Sequence, residues 1–363
     1  MVAWAGCLPM PLLRHHLARF SAKLFAINSS RIPPQHKPPS GAKSGLALLL
    51  VLIAIVYCSS RLLLGSVRDS LISHAVPAAS YEEAVARFEK LQSSDGLTIN
   101  PVARSILLTH GHRTDKVAVF FHGYSTSPQQ FRQLGERFFQ LGYNVLIPRL
   151  PQHGMADRKL ENLSRLRAEQ LRDCADAGVD VAAGLGDKVY VGGLSAGGVL
   201  AAWIAEHRKE VSRVLLVAPA LTLGRRAGSP LQRLAIGLIS FLPDVPTDLF
   251  SSDPYAREYA YPGFSAKALG QLQKMSSATF VEALDKPPVV QDIILVTTES
   301  DHTVSNFATW QLIGLWYRKG LRKFVSVDFA RDMRIPHDMI DPTEGSRITD
   351  VIYPVCIDAL NAP

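Results

Sequence analysis

Residues 187–202, Asp-Lys-Val-Tyr-Val-Gly-Gly-Leu-Ser-Ala-Gly-Gly-Val-Leu-Ala-Ala, pass from a short apolar run through a serine set between glycines into an alanine-rich helical pattern. A chain carrying this unit must fold a strand, a sharp turn and a helix in succession. Gly193-Leu194-Ser195-Ala196-Gly197 fits G-x-S-x-G, in which the serine backbone is held under strain so that its hydroxyl projects above a sheet edge. A side chain two residues to either side of the serine would collide across so tight a turn, and only glycine avoids this at 193 and 197.

The sequence around this unit keeps the same alternation. Residues 105–109 and 117–121 read as two β-runs joined by a polar turn, predicting a hairpin that enters a sheet. A helical period follows through Phe131, Leu134, Phe138 and Leu141, then a buried strand at 144–148 and a helix over 163–185. Further strands are expected at 214–217, 293–296 and 324–327, with helices at 81–92, 307–317 and 348–360, the last interrupted by Pro354. Strands alternating with helices predict an α/β fold, a mostly parallel sheet covered by helices on both faces.

The overall charge of +7 over 363 residues could suggest an anionic partner. Its location argues otherwise. Residues 1–68 hold Arg14, Arg19, Lys23, Arg31, Lys37, Lys43, Arg61 and Arg68 and no carboxylate, which leaves 31 basic against 32 acidic residues in the rest. A near-neutral body without a nucleic-acid motif excludes nucleic acid as the expected partner. Residues 45–58 are uninterrupted apolar sequence after a basic, proline-containing segment, so 45–64 is expected to be a signal anchor or signal-peptide core, with 1–44 disordered. The upstream basic residues favour a membrane-anchored chain whose larger C-terminal part, 81–363, lies on the non-cytoplasmic side, or is exported if the signal is cleaved. A linker is expected before residue 81. Cys174 and Cys356 fall in helices expected on opposite faces of the sheet, so both are expected to be free thiols.

A serine hydroxyl needs a base to take its proton and an acid to orient that base. After an elbow of this kind the order along the chain is Ser, then Asp or Glu, then His. Asp301 lies beyond the strand at 293–296, and His337 beyond the last strand. Glu299 competes as the acid, His302 and His153 as the base. For the oxyanion, Ala196 offers one backbone amide, and the turn His122-Gly123-Tyr124 offers the Tyr124 amide. His110-Gly111-His112 looks like half a metal site but has no second ligand cluster, so neither a metal nor a cofactor is expected.

Together, His122-Gly123-Tyr124, the run Arg149-Leu150-Pro151-Gln152-His153-Gly154, Gly193 to Gly197, Asp301-x-x-Val304 and His337-Asp338 resemble the α/β-hydrolase superfamily, most of all its monoacylglycerol-lipase and small carboxylesterase group. Gln152 stands where that group usually has glycine. The resemblance covers about residues 105–360. It implies Ser195 as nucleophile, His337 as base and Asp301 as its orienter, with Tyr124 and Ala196 as oxyanion donors and a helical cap at about 222–290. Residues 230–241 are apolar on more than one face, as a helix lining an acyl pocket would be. The expected function is a serine hydrolase acting on small or lipid-like carboxylic esters. The alternatives are a peptidase or acyltransferase on the same triad, or a catalytically silent membrane-tethered binding protein.

Overall fold

Short runs rich in Val, Ile, Leu and Phe form the strands of one sheet: β1 (Ile106–Leu108), β2 (Thr114–Phe121), β3 (Asn144–Ile147), β4 (Gly186–Leu194), β5 (Val211–Val217), β6 (Asp292–Thr298) and β7 (Lys323–Phe329). The structure is a computed structural model that describes residues 66–93, 95–224, 244 and 258–363. Leu64–Pro363 forms one compact unit. The expectations for 1–44, 45–64 and 230–241 lie outside the described residues. Among the described residues no helix is long and apolar enough to cross a membrane.

The strand order is β1-β3-β2-β4-β5-β6-β7, with β1 antiparallel to β3 and the other pairs parallel. This corrects the hairpin expected from the sequence. Every residue of β3 is buried while β1 is half-buried, so β3 takes the covered position beside β2 and β1 is left at the edge.

The helices are α1 (Tyr81–Ser93), α2 (Gln129–Gln140), α3 (Ala168–Leu185), α4 (Ala196–His207), α5 (Ala266–Asp285), α6 (Asn306–Lys319) and α7 (Ser346–Asn361). Successive strand residues point to opposite faces, and β2 shows what each face meets. Phe120 stacks on Phe131 of α2 at 5.2 Å, whereas the Phe121 ring lies against Gly178 of α3. Tyr353 of α7 bonds Gln133 of α2, so α2 and α7 share one layer. The helices α3, α4, α5 and α6 pack side by side in the other. Cys174 on α3 and Cys356 on α7 thus belong to opposite layers, and both are free.

Three boundaries differ from the sequence reading. The helix expected from residue 163 is broken: a turn at Leu160–Leu163 precedes α3, whose start is capped where the Gln170 side chain accepts the Arg167 amide. Within the interval expected as a cap, α5 packs against α4 and α6 as part of the scaffold. The stretch expected as a linker is bound to the domain. Ser73 Oγ and the His74 amide donate to Asp176 at 2.6 and 2.7 Å, and the Val76 amide donates to Asp180 at 3.0 Å. Trp203 Nε1 donates to the Leu71 carbonyl, and the fully buried Arg208 ties Asp176 to Asp180 from below. Buried carboxylates need such partners, so this strap and Arg208 complete one network.

Candidate active site

All the strands that feed the site end at one edge of the sheet, where ligands bind in open α/β folds. Ser195 follows β4 directly and opens α4. Its backbone sits at φ 57°, ψ −112°, a conformation an L-residue holds only when its surroundings impose it. Its amide donates to the Val217 carbonyl, and its carbonyl accepts from the Ala220 amide, so β5 and the loop after it pin the turn. A Cβ built at Gly193 would lie 2.1 Å from the Gly197 carbonyl oxygen, and one at Gly197 would lie 1.9 Å from that of Phe121. Both glycines are therefore required sterically, Gly193 across the turn as the sequence argument expects and Gly197 against the end of β2. The helix behind the serine is apolar on every side because it is enclosed between the sheet and α3 and α5.

The loops after β6 and β7 bring His337 and Asp301 together, His337 Nδ1 donating to Asp301 Oδ2 at 2.7 Å. The other carboxylate oxygen accepts the Thr303 and Val304 amides at 2.8 and 3.1 Å, fixing the Asp301 side chain. Burial pushes the Asp301 carboxyl up, but the His337 hydrogen bond and charge and the two amides outweigh it, holding it below the usual carboxylate range. Burial likewise lowers His337, and the bond and charge of Asp301 more than reverse this, so the imidazole is more basic than an ordinary histidine. The competing acid, Glu299, instead accepts the Arg331 amide, and His302 is exposed. Among the described residues no hydrogen bond joins Ser195 Oγ to the imidazole; such contacts often tighten only with substrate bound.

The loop after β2 approaches the serine from the other side. A Cβ built at Gly123 would lie 3.7 Å from that of Ser195. Among the described residues, neither the Tyr124 nor the Ala196 amide donates to the protein, whereas the Gly123 amide is held at 2.7 Å by Gln130 Oε1. The Tyr124 hydroxyl exchanges hydrogen bonds with the Ser265 backbone, and its ring stacks on Phe264.

The residues that shape this loop were not evident from sequence. His122 is fully buried and neutral: desolvation, helped by His153 nearby, drives it well below the usual imidazole value. Its Nε2 accepts the Leu150 amide, so Nδ1 carries the proton and donates to the Gly123 carbonyl. His153, lowered by burial to about 4, bonds the Pro151 carbonyl through Nδ1, has no partner at Nε2 among the described residues, and packs edge-on to His122 and Tyr124. Since an acceptor carbonyl needs a proton, Nδ1 of His153 is the donor. Gln152, where the resembling group has glycine, adopts φ 64°, so the turn keeps its glycine-like backbone without the glycine. His110 stacks on Phe139 at 4.1 Å.

Residues 118–337 match the sequence profile of the Alpha/beta hydrolase family. The thermostable monoacylglycerol lipase of Bacillus sp. (strain H-257) is 27% identical over 188 residues, which are 50% of this chain and 69% of that protein. Among solved structures, one from the metagenome-derived lipolytic enzymes LipS and LipT has TM-score 0.52 at 20% identity and covers 71% of this chain and 97% of its own. A soluble variant of monoglyceride lipase from Saccharomyces cerevisiae, in complex with a substrate analog, has TM-score 0.49 at 13% identity, covering 71% and 90%. With the profile spanning more than half its length, the chain belongs to the alpha/beta hydrolase family.

Proposed function

We propose that this chain is a serine hydrolase that cleaves carboxylic esters, including lipid-like esters such as monoacylglycerols, through a Ser195–His337–Asp301 triad. The observation that carries the reading is the 2.7 Å His337–Asp301 pair at the sheet edge where a strained serine opens a helix. Ser195 Oγ attacks the ester carbonyl while His337 Nε2 takes its proton; Asp301 orients the imidazole and stabilises its positive charge. The tetrahedral oxyanion rests on the Tyr124 and Ala196 amides. Collapse breaks the bond to the alcohol, which leaves with the proton from His337. Water, deprotonated by the same base, then releases the acid and restores Ser195. The 27% identity to a monoacylglycerol lipase supports the lipid-like acyl group.

The N-terminal apolar sequence is read as a signal anchor that places this domain on the non-cytoplasmic side of a membrane. The test of the reaction is hydrolysis of p-nitrophenyl esters of increasing chain length by the full chain and by Ser195→Ala. Turnover that falls on the order of 10⁶-fold in the variant supports the triad. Equal turnover in both removes Ser195 as nucleophile.

A further inference from the structure

The site occupies one pole of the domain, where the strands end; the opposite pole, where they begin, carries a second feature. The last turn of α5 and the turn leading to β6 expose Leu284 and Val289, and the last turn of α6 exposes Tyr317. Beside them Arg318, Lys319 and Arg322 are exposed, and none of their side chains has a partner among the described residues. The carboxylates of α5 and β6 are already paired: Glu282 with Lys286 and Arg68, Asp285 with Arg68, and Asp292 with Arg213 and Lys323. Apolar and aromatic side chains among unpaired cations are what an anionic lipid surface takes up.

The start of the described chain also lies at this pole. Arg68 bonds Asp285 at 3.0 Å, at the end of α5 that leads into the start of β6. The apolar sequence runs to Leu64, and from Ser70 onward the chain is fastened by the strap bonds to Arg172, Trp203, Asp176 and Asp180.

We infer that the strand-start pole, with Leu284, Val289 and Tyr317 among Arg318, Lys319 and Arg322, seats on an anionic bilayer surface, so that the site faces away from that bilayer. This rests on the reading of the N-terminal sequence as a membrane anchor. The seven residues of β6 set the two poles about 20 Å apart, so the ester reaches Ser195 from water, dispersed or already released, and is not drawn out of the supporting bilayer.

The experiment places a fluorophore on the full chain in a Cys7→Ser, Cys58→Ser background, either at Tyr317→Cys or, at the opposite pole, at His302→Cys. Each protein is reconstituted in phosphatidylcholine vesicles with and without phosphatidylglycerol, and quenching by doxyl-labelled lipid is read. The expected result is several-fold stronger quenching at 317 than at 302, increased by phosphatidylglycerol. Each cation near an anionic surface contributes about fivefold, so Arg318→Gln, Lys319→Gln and Arg322→Gln together lower the seated-to-lifted ratio by roughly 100-fold, with ester hydrolysis in detergent unchanged. Protein that floats with vesicles but shows equal weak quenching at both labels overturns the seating and leaves the anchor standing. Stronger quenching at 302 reverses the orientation and overturns it as well. Quenching at 317 that vanishes when protein is diluted at constant lipid assigns the pole to a second copy of the chain. Failure to float removes the anchor reading and this inference with it.

Discussion

Replacing Gln130 with leucine separates what the loop after β2 contributes to stability from what it contributes to catalysis. Gln130 is fully buried on α2, and its Oε1 accepts the Gly123 amide at 2.7 Å and Thr126 Oγ1 at 3.1 Å. In Gln130→Leu the Gly123 amide is left buried without an acceptor, at a cost of about 1–3 kcal/mol. Thr126 keeps the Gly123 carbonyl at 3.2 Å. Against this, Gln130 Nε2 already has no partner among the described residues, and leucine removes that penalty, which is of similar size. The two nearly cancel, so stability should change by less than about 2 kcal/mol. Activity should not be spared. Gly123 lies beside Ser195 and leads directly to the Tyr124 amide, so a loop released by about 1 Å costs about 100-fold, in kcat more than in KM. Loss of the Tyr124 donor altogether sets the upper bound at about 10³-fold. Urea denaturation and p-nitrophenyl ester kinetics on the same preparation read both quantities, with Thr126→Val, which leaves the Gly123 bond, expected to fall between wild type and the leucine variant. Unchanged kcat at near-native stability would refute the argument that Gln130 sets the loop.

The remaining predictions concern the His337–Asp301 pair and the strap. Asp301→Asn should lower kcat about 10⁴-fold by misorienting the imidazole, while Glu299→Gln stays within about threefold; the reverse ranking, measured on one ester, would reassign the acid. His337 must be unprotonated to accept the serine proton, and its affinity for protons is raised above the ordinary 6.5, so kcat/KM should fall as pH drops through a value above 6.5. Asp301, held below its ordinary 3.8, stays ionised across that limb, and Asp301→Asn should move the limb to lower pH. Arg208→Leu leaves Asp176 and Asp180 buried without their cation and should destabilise the domain by about 3–5 kcal/mol in urea denaturation, loosening residues 70–78 to proteolysis.

The parts of the fold that were legible in the sequence are those set by local sterics and periodicity. Gly193 is legible because a Cβ there meets the Gly197 backbone, a conflict confined to five residues, whereas the backbone that excludes a Cβ at Gly197 belongs to Phe121 and His122 at the end of β2. The strands β3, β5 and β6 each hold a continuous buried apolar run, at 145–147, 214–217 and 293–296, as a parallel sheet covered on both faces requires, while the edge strand β7 alternates apolar and polar residues. Pairing is different. Whether β1 meets β2 or β3 depends on competition for the covered position, which adjacency in the chain does not encode. The strap is not legible for a related reason: residues 70–78 bind mainly through backbone groups, amides donating to Asp176 and Asp180 and carbonyls accepting from Arg172 and Trp203, partners about a hundred residues or more away. Asp301 and Glu299 are carboxylates two residues apart, and only the path of the loop determines that Asp301 is the one that meets His337. The roles of His122, Gln130 and His153 in shaping the loop near Ser195 depend on contacts to distant backbone, and no local pattern marks them.

The measurement closest to the central claim is reaction of the folded chain with a fluorophosphonate, followed by peptide mapping of the adduct. A nucleophilic serine activated by His337 predicts one stoichiometric adduct on Ser195, lost in Ser195→Ala and slowed in His337→Ala. An unmodified Ser195 in protein that is folded and labelled elsewhere, or not at all, contradicts the assignment of this serine as the nucleophile.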